Sequence, residues 1–237
     1  MTLDGIEILL GNRFPKMKVH FIRYADDFLV TAPTKELAAE VCDIICEFLA
    51  IRGLELSLEK TLITHIDDGF DFLGWNFRKY KGKLLTKPSK KSIKSIAQKL
   101  KTTVSNARSW TQDELIKKLN QIIRGWANYH RHIVAKDIFK KLDHYIWEIT
   151  WRWGKRRHPN KGHKWIFNKY WIPEGPRKWV FQTKKTKLLQ LSDFQIRRHL
   201  LSKLDANPYF NRNYFLERKD RTKKQTPWIQ TKLPFFV

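Results

Sequence analysis

Cysteine is scarce in this chain, and long apolar runs do not occur. Cys42 and Cys46 lie four residues apart in a helical pattern, a spacing that suits two small core residues better than a disulfide or a metal site. The sequence has no run of about 18 apolar residues, and its N-terminus has no basic segment followed by an apolar one. We therefore expect an intracellular, cytoplasmic protein without a membrane partner.

Acidic residues are rare after residue 75, which makes the charge of the chain very uneven. Residues 1–75 hold 7 Lys and Arg against 13 Asp and Glu, whereas the rest of the 237 residues hold 40 against 10. The formal net charge of the whole chain is +24. This balance indicates a polyphosphate partner, because each phosphate that a cation neutralises releases condensed counterions. Nucleic acid is the leading partner class.

The first 87 residues predict a mixed unit of strands and helices. Residues 2–12 have the pattern of a helix that ends at Gly11, and Thr34 is placed to cap a helix over residues 35–52. Short β-branched and aromatic segments predict strands at residues 20–24, 28–32, 54–58, 62–66, 70–77 and 83–86. The last two of these form a predicted hairpin across Lys81 and Gly82.

From Pro88 onward the pattern becomes helical and rich in lysine. Three helices are predicted over residues 89–107, 111–132 and 135–153, and Thr111 with Glu114 forms a capping box. The segment 151–187 then holds 12 Lys and Arg and one acid, and a last short helix is predicted from Asp193 to Lys203. The predicted fold class is α+β, with a basic helical second half.

Two adjacent carboxylates, Asp26 and Asp27, stand in the apolar stretch FIRYADDFLV at the tip of a predicted hairpin. Like charges placed side by side are costly unless a cation neutralises them. Mg²⁺ prefers one or two carboxylates together with phosphate oxygens and water, as in two-metal nucleotidyl transfer. A solvated turn is the alternative, because aspartate is a common turn residue.

Three segments in order resemble motifs C, D and E of reverse transcriptases. They are FIRYADDFLV, GLELSLEKTLITHI and FDFLGWNF. The resemblance implies that Asp26 and Asp27 are catalytic ligands of Mg²⁺. It also places Lys60 where a motif D lysine is proposed to protonate pyrophosphate, with an ordinary surface lysine as an equal alternative. The primer grip of the family corresponds to Phe72, Leu73 and Gly74.

The basic half contains a long stretch in which cations alternate with aromatic residues, LNQIIRGWANYHRHIVAKDIFKKLDHYIWEITWRWGKRRHPNKGHKWIFNKYW (Leu119–Trp171). It resembles the maturase domain of group II intron-encoded reverse transcriptases, the helical thumb that follows the polymerase. Such composition suits RNA, which is bound through phosphates, 2′-hydroxyls and stacking. The resemblance implies that group II intron RNA is contacted by Arg124, Trp126, Tyr129, His130, Arg152, Lys155, Arg156, Arg157, Lys161 and Lys164.

The aromatic and histidine residues of this stretch have other interpretations. Trp126, Trp147 and Trp151 are favoured as core residues, and the last two are one helical turn apart. His158 and His163 could suggest a zinc site. We reject this interpretation, because no CxxC pair accompanies them. Longer members of the family carry an HNH endonuclease with cysteine pairs, so we expect no DNA-strand cleavage by this chain.

The whole chain resembles the C-terminal half of such a protein. The resemblance divides it into the C-terminal part of a reverse transcriptase palm (1–87), a helical thumb or maturase domain, also called domain X (88–175), and a basic, partly irregular extension (176–237). The extension is a candidate DNA-binding remnant, which makes target DNA a further candidate partner.

Two functional hypotheses follow. The polymerase site of the family also needs an earlier motif A aspartate and the fingers, which we expect to be missing here. Mg²⁺ should then bind weakly or not at all, and the isolated chain should have little polymerase activity. In the first hypothesis a separate N-terminal half restores RNA-directed DNA synthesis. In the second the chain is an inactive RNA-binding module that assists splicing. A decayed fragment without a role is the third alternative.

Overall fold

The computed structural model describes residues 3–57, 59–197 and 211–224. Residues up to Phe194 form one compact unit, and a second unit begins at Gln195. In chain order the elements are α1 (Ile6–Arg13), β1 (His20–Tyr24), β2 (Asp27–Thr31), α2 (Lys35–Ala50), β3 (Phe70–Phe72), β4 (Trp75–Tyr80), β5 (Lys83–Pro88), α3 (Lys90–Asn106), α4 (Gln112–His130), α5 (Lys136–Arg157), α6 (His163–Tyr170), β6 (Trp171–Glu174), β7 (Arg177–Phe181), a 3₁₀ turn (Leu191–Asp193) and α7 (Arg212–Lys224). The predicted α+β class is confirmed.

A first hydrophobic cluster joins the two N-terminal helices to the β1–β2 hairpin. Its buried members are Ile6, Leu10, Phe14, Val41, Ile45 and Leu49. Thr34 caps α2 as predicted, because its side chain accepts a hydrogen bond from the Leu37 amide at 3.2 Å. The expectation of two core cysteines is wrong for Cys46, which is exposed, while Cys42 is half-buried.

Several predictions for the first half are wrong for local reasons. Helix α1 continues through Gly11 and ends at Arg13, because Phe14 precedes Pro15 and a residue before proline disfavours helical geometry. Segments 54–57 and 61–66 are not strands. The Ser57 carbonyl accepts hydrogen bonds from the amides of Lys60 at 3.0 Å and Thr61 at 2.9 Å, which fold the chain into a turn. Leu58 lies outside the described residues.

A three-stranded antiparallel sheet in the order β3-β4-β5 connects the first half to the helices. The single strand predicted at 70–77 is two strands, because Leu73 and Gly74 have φ values of 50° and 80°. These values form a two-residue turn that pairs Phe72 with Trp75. The predicted hairpin across Lys81 and Gly82 is confirmed.

Helices α3, α4 and α5 share a second hydrophobic cluster. Ser89 caps α3, and the predicted capping box of Thr111 and Glu114 opens α4. Helix α5 runs past its predicted end, and Trp153 within it is buried and donates from its indole to the Ala107 carbonyl at 2.7 Å. Packing continues beyond residue 175, since the cluster also contains Phe181, Leu188 and Leu191.

The sequence pattern did not predict α7. It also missed two elements directly after α5, helix α6 and the β6–β7 hairpin. Their buried residues are Ile166, Tyr170, Trp171, Val180 and Phe181. The helix predicted from Asp193 to Lys203 is absent over residues 194–197, and residues 198–203 lie outside the described part. Asp143 accepts the amides of Leu191 at 2.7 Å and Ser192 at 2.8 Å, which holds the 3₁₀ turn there.

None of the helices in the described residues is both long enough and apolar enough to cross a bilayer.

Gly69 and Gly82 have similar positive φ values, 81° and 79°, but differ in the space around them. Alanine at the two positions should therefore destabilise the protein to different extents. A Cβ at Gly69 would lie 2.8 Å from the Arg78 Cβ and 2.9 Å from the Phe77 carbonyl oxygen, whereas at Gly82 nothing lies within 4 Å. We expect Gly82→Ala to cost about 1 kcal/mol from backbone strain alone, and Gly69→Ala to cost about 2 to 4 kcal/mol. Urea unfolding measures both, and equal losses would contradict the predicted clash.

Candidate nucleic-acid interface

The β1–β2 hairpin holds the two predicted metal ligands at its exposed tip. Tyr24 pairs with Asp27, so Ala25 and Asp26 form the two-residue connection. Ala25 has a φ of 53°, in the left-handed region that such turns require at their first central position. Asp26 therefore lies in the turn, while Asp27 is already the first residue of β2, one position earlier than predicted.

The tip is suited to a hard divalent cation. Asp26 and Asp27 are both exposed and supply carboxylate oxygens, the ligands that Mg²⁺ prefers. At the base of the hairpin the rings of Phe21 and Phe28 lie 5.5 Å apart and pack on the first cluster, which anchors the strands. Among the described residues, no group of three or more His, Cys, Asp or Glu could hold a metal ion. The two aspartates thus fit part of a magnesium site.

Lys60, the predicted proton donor, is exposed in the turn that follows Ser57. Leu54 and Leu56, which precede this turn, pack on the same cluster as the hairpin. The described contacts do not join Lys60 to Asp26 or Asp27.

The predicted primer-grip turn docks on the helical half. The Tyr129 hydroxyl donates to the Leu73 carbonyl at 2.7 Å, and the Ser89 amide donates to the Gly74 carbonyl at 2.9 Å. The rings of Trp75 and Tyr129 stack with their centroids 5.1 Å apart. Tyr129, predicted to contact RNA, is therefore engaged with the sheet.

Ser92 joins α3 to α4 beneath this turn. Its hydroxyl accepts the Trp126 indole N–H at 3.2 Å and lies 3.2 Å from Nε2 of His130. His130 is 1% exposed, and burial, followed by the nearby His132, lowers its pKa from 6.5 to about 4. His130 was predicted to face RNA; the structure places it inside the protein in its neutral form. Trp126 packs against the second cluster, which favours its core interpretation.

The neighbouring arginines at the end of α5 fold back onto the protein. Arg157 donates to the carbonyls of Arg108 at 3.0 Å and Trp110 at 2.6 Å, and its guanidinium lies 4.7 Å from the Trp153 ring centroid. Arg156 makes a longer contact, 3.5 Å, to a carbonyl of α3. Arg157 thus fixes the loop between α3 and α4.

The tryptophans on the same helix also contribute to packing. Trp147 and Trp151 stack at 6.1 Å and pack against the second cluster, as predicted for residues one helical turn apart.

The other predicted RNA-binding cations are exposed. They are Arg124, Arg152, Lys155, Lys161 and Lys164. Arg152 forms an ion pair with Glu148 at 3.0 Å, and the Lys161 ammonium lies 5.4 Å from the ring centroid of Trp165, which is itself 40% exposed. Lysine beside an exposed indole combines a phosphate contact with a stacking surface.

The acidic side chains of the helical half are mostly engaged within the protein. Residues 88–197 hold 26 Lys and Arg against seven Asp and Glu. Six of the seven have internal partners: Asp113 with Thr183 and Thr186, Glu114 with Thr111, Asp143 with the Leu191 and Ser192 amides, Glu148 with Arg152, Glu174 with Lys187, and Asp193 with Arg177. The seventh, Asp137, lies in the first turn of α5, where negative charge is favourable. Most of the cations therefore lack an acidic neighbour that neutralises them.

Two family models match the chain, in the order in which the resemblance places them. Residues 1–77 match the reverse transcriptase (RNA-dependent DNA polymerase) model, and residues 93–171 match the group II intron, maturase-specific domain model. Together these matches cover about two thirds of the chain. The two matches, in this order, support a group II intron reverse transcriptase/maturase. Reverse transcriptases generally use Mg²⁺, which agrees with the oxygen ligands at the hairpin tip.

Two curated relatives from euglenids are similar to parts of the chain. The ribosomal operon-associated A protein of Euglena longa is 27% identical over 126 residues, which is 52% of this chain and 24% of the relative. Maturase-like protein 1 of Euglena gracilis is 30% identical over 91 residues, 37% of this chain and 20% of the relative. The chain thus matches about a quarter or less of the length of these relatives.

Burial of neutral His130 makes the free energy of unfolding of this protein depend on pH. Because the pKa of His130 is lowered to about 4, the folded state binds fewer protons than the unfolded state between that value and 6.5. The free energy of unfolding should therefore fall as the pH drops through this window, by an amount of the order of 3 kcal/mol, and level off below it.

Urea unfolding at several pH values measures this effect. His130→Gln should be less stable than the native chain near neutrality but lose less stability on acidification. His20→Gln, at an exposed position of β1, is the matched control and should keep the native pH dependence. An unchanged pH dependence in His130→Gln would contradict the prediction.

Proposed function

We propose that this chain binds group II intron RNA through the basic surface of its helical half and thereby assists splicing. The observation that carries the proposal is the excess of 26 cations over seven acids in residues 88–197. Six of these acids are paired with hydroxyls, amides or basic side chains of the same half. Binding of a folded RNA to such a surface is favourable, because the cations release counterions that were condensed on the RNA phosphates. The maturase-specific match over residues 93–171 supports RNA as the partner.

The proposed RNA-binding surface consists of the exposed cations Arg124, Arg152, Lys155, Lys161 and Lys164, with Arg156 at its margin. Trp165, which is 40% exposed, lies beside Lys161, and Trp179 of the same half is 52% exposed. Unpaired bases of an RNA loop can stack on such rings while the lysines contact phosphates. Arg157 and His130 are left out of the surface, because their polar atoms are engaged within the protein.

We also propose a polymerase role that depends on sequence supplied by a separate N-terminal half. Residues 1–87 would form part of a palm, 88–175 the thumb, and 176–237 a basic extension toward target DNA. Asp26 and Asp27 would hold Mg²⁺, which supplies charge stabilisation for nucleotidyl transfer when bound. Lys60 would donate a proton to the leaving pyrophosphate, and Phe72 with the Leu73-Gly74 turn would support the primer.

The second candidate function is an RNA-binding maturase module without catalysis. It is supported by the exposed cations of residues 88–197, which need no catalytic residue to bind RNA, and by the maturase-specific match over residues 93–171. In that case the β1–β2 hairpin serves as scaffold, and the RNA-binding surface is the functional part.

Affinity for structured RNA should depend steeply on salt and on the exposed lysines. If roughly six to ten phosphates are neutralised, affinity should fall by about 10³ to 10⁵ between about 50 and 200 mM salt. Lys161→Ala with Lys164→Ala removes two of these contacts, so the slope of log affinity against log salt should decrease by about two. Filter binding to a group II intron RNA over a salt series measures both quantities.

The matched control removes the same charge from the acidic half. Lys16→Ala with Lys18→Ala changes two exposed lysines there and should leave the slope unchanged. A flat salt response of the native chain, or equal slopes for both double variants, would contradict the proposed surface.

Substitution of the hairpin aspartates separates the two functions. With an N-terminal half containing motif A supplied, Asp26→Ala and Asp27→Ala should abolish cDNA synthesis in a primer-extension assay, because the carboxylate ligands are lost. Splicing assistance by the same variants should be retained. Asp43→Ala, an exposed position on α2, is the control and should preserve both activities.

Two results would contradict this scheme. Robust, Asp26-dependent synthesis by the isolated chain would show that it needs no separate half. Loss of splicing assistance in Asp26→Ala would show that the hairpin takes part in RNA function.

A further inference from the structure

The end of α4 meets the predicted primer-grip turn through backbone contacts. The Leu73 carbonyl accepts the Tyr129 hydroxyl at 2.7 Å, and the adjacent Gly74 carbonyl accepts the Ser89 amide at 2.9 Å. A Cβ at Gly74 would lie 3.9 Å from the Tyr129 ring, so the turn passes close beside that side chain. Helices α3 and α4 therefore hold both central carbonyls of the turn.

The β1–β2 hairpin approaches the same place. The pKa of the Tyr129 phenol is raised, first by burial and then by its electrostatic interaction with Tyr24. Tyr24 ends β1 and pairs with Asp27, directly beside the proposed metal ligands. Direct contacts thus join the end of α4 to the primer-grip turn, while Tyr24 of the hairpin interacts with the same phenol electrostatically.

The surroundings of Tyr129 favour a supporting role over direct stacking on RNA. Tyr129 is 47% exposed, but its ring stacks on Trp75 at 5.1 Å and meets His130 edge-on at 4.9 Å, so two neighbouring rings fix its orientation. Its hydroxyl donates a hydrogen bond to the Leu73 carbonyl oxygen. A residue used in this way transmits the position of the helix to the turn.

We propose that Tyr129 is a positioning residue, which ties the Leu73-Gly74 turn to α4 and so fixes where a primer strand passes the Asp26-Asp27 hairpin. The inference rests on the proposed function, because it takes the turn to be a primer grip. The ligand is the end of a primer–template duplex, and structured intron RNA is bound elsewhere, on the exposed cations. Primer placement and intron binding should therefore respond differently to the loss of one hydroxyl.

The experiment compares Tyr129→Phe with the native full chain, each supplied with the separate N-terminal half. The substitution removes the hydroxyl and keeps the ring that stacks on Trp75. Tyr80→Phe is the matched control, because Tyr80 lies on β4 of the same sheet, where its ring contacts Lys87 and Arg78. Three quantities are measured for each chain: amide hydrogen exchange at Ser89, affinity for a short RNA template paired with a DNA primer, and affinity for structured intron RNA.

In Tyr129→Phe we expect Ser89 exchange to be faster by about fivefold, the effect of losing one ordinary hydrogen bond. Affinity for the primer–template duplex should fall by a similar factor, while affinity for intron RNA stays at the native value. A general loss of structure would lower both affinities together, so their ratio distinguishes positioning from stability. Tyr80→Phe should change none of the three quantities.

The outcomes separate this inference from the proposed function. If the native chain binds neither nucleic acid in a salt-dependent way, the proposed function fails. If the native chain binds both but Tyr129→Phe leaves Ser89 exchange or the affinity ratio unchanged, the positioning role is overturned. A selective loss of intron RNA affinity would also overturn it and would make Tyr129 an RNA contact.

Discussion

A single hydrophobic cluster under α3, α4 and α5 has to hold a large number of mutually repelling cations in place. Between residues 88 and 197 the chain carries 26 Lys and Arg against seven acids, so charge repulsion opposes compact folding. The opposing free energy comes from buried aliphatic and aromatic side chains, with Trp153 and Trp171 among the largest fully buried ones. The same packing fixes the separation of the exposed cations, so they can meet the phosphates of a folded RNA without first being ordered.

The few acids of this half stabilise junctions between elements and leave the surface positive. Asp143 holds the 3₁₀ turn through two amides, and Asp113 accepts hydroxyl hydrogen bonds from Thr183 and Thr186 after β7. These bonds keep the pKa of Asp113 below its usual range, so the carboxylate stays charged and bonded near neutrality. Because cations outnumber acids 26 to seven and six of the acids already have partners in the same half, the basic character of the composition is also the character of the surface.

Local signals in the sequence predicted most of the helices and the hairpin tip, whereas long-range contacts decided the rest. The caps at Thr34 and Thr111 were predictable because each depends on residues within one turn. The turn inside FDFLGWNF was missed, since the apolar pattern continues through Leu73 and the turn is held by Tyr129, more than 50 residues away. Arg157 and His130 were assigned to RNA for the same reason: residue type indicates a nucleic-acid contact, but only the fold shows that carbonyls of the α3–α4 loop and Ser92 engage them.

The two proposed functions depend on residues that pack on different hydrophobic clusters, and few of the described contacts link these clusters. The aspartate hairpin packs on α1 and α2, and the exposed cations proposed to bind RNA lie on helices of the second cluster and on the loop between α5 and α6. A change at the hairpin tip leaves the second cluster untouched, so loss of catalysis need not impair RNA binding. The connection between them runs through the β3–β5 sheet, where Tyr129 and Ser89 hold the Leu73-Gly74 turn. Under the proposed functions, the maturase role depends on the second cluster alone. The contacts of Tyr129 and Ser89 with the Leu73-Gly74 turn matter only where a primer strand has to be placed.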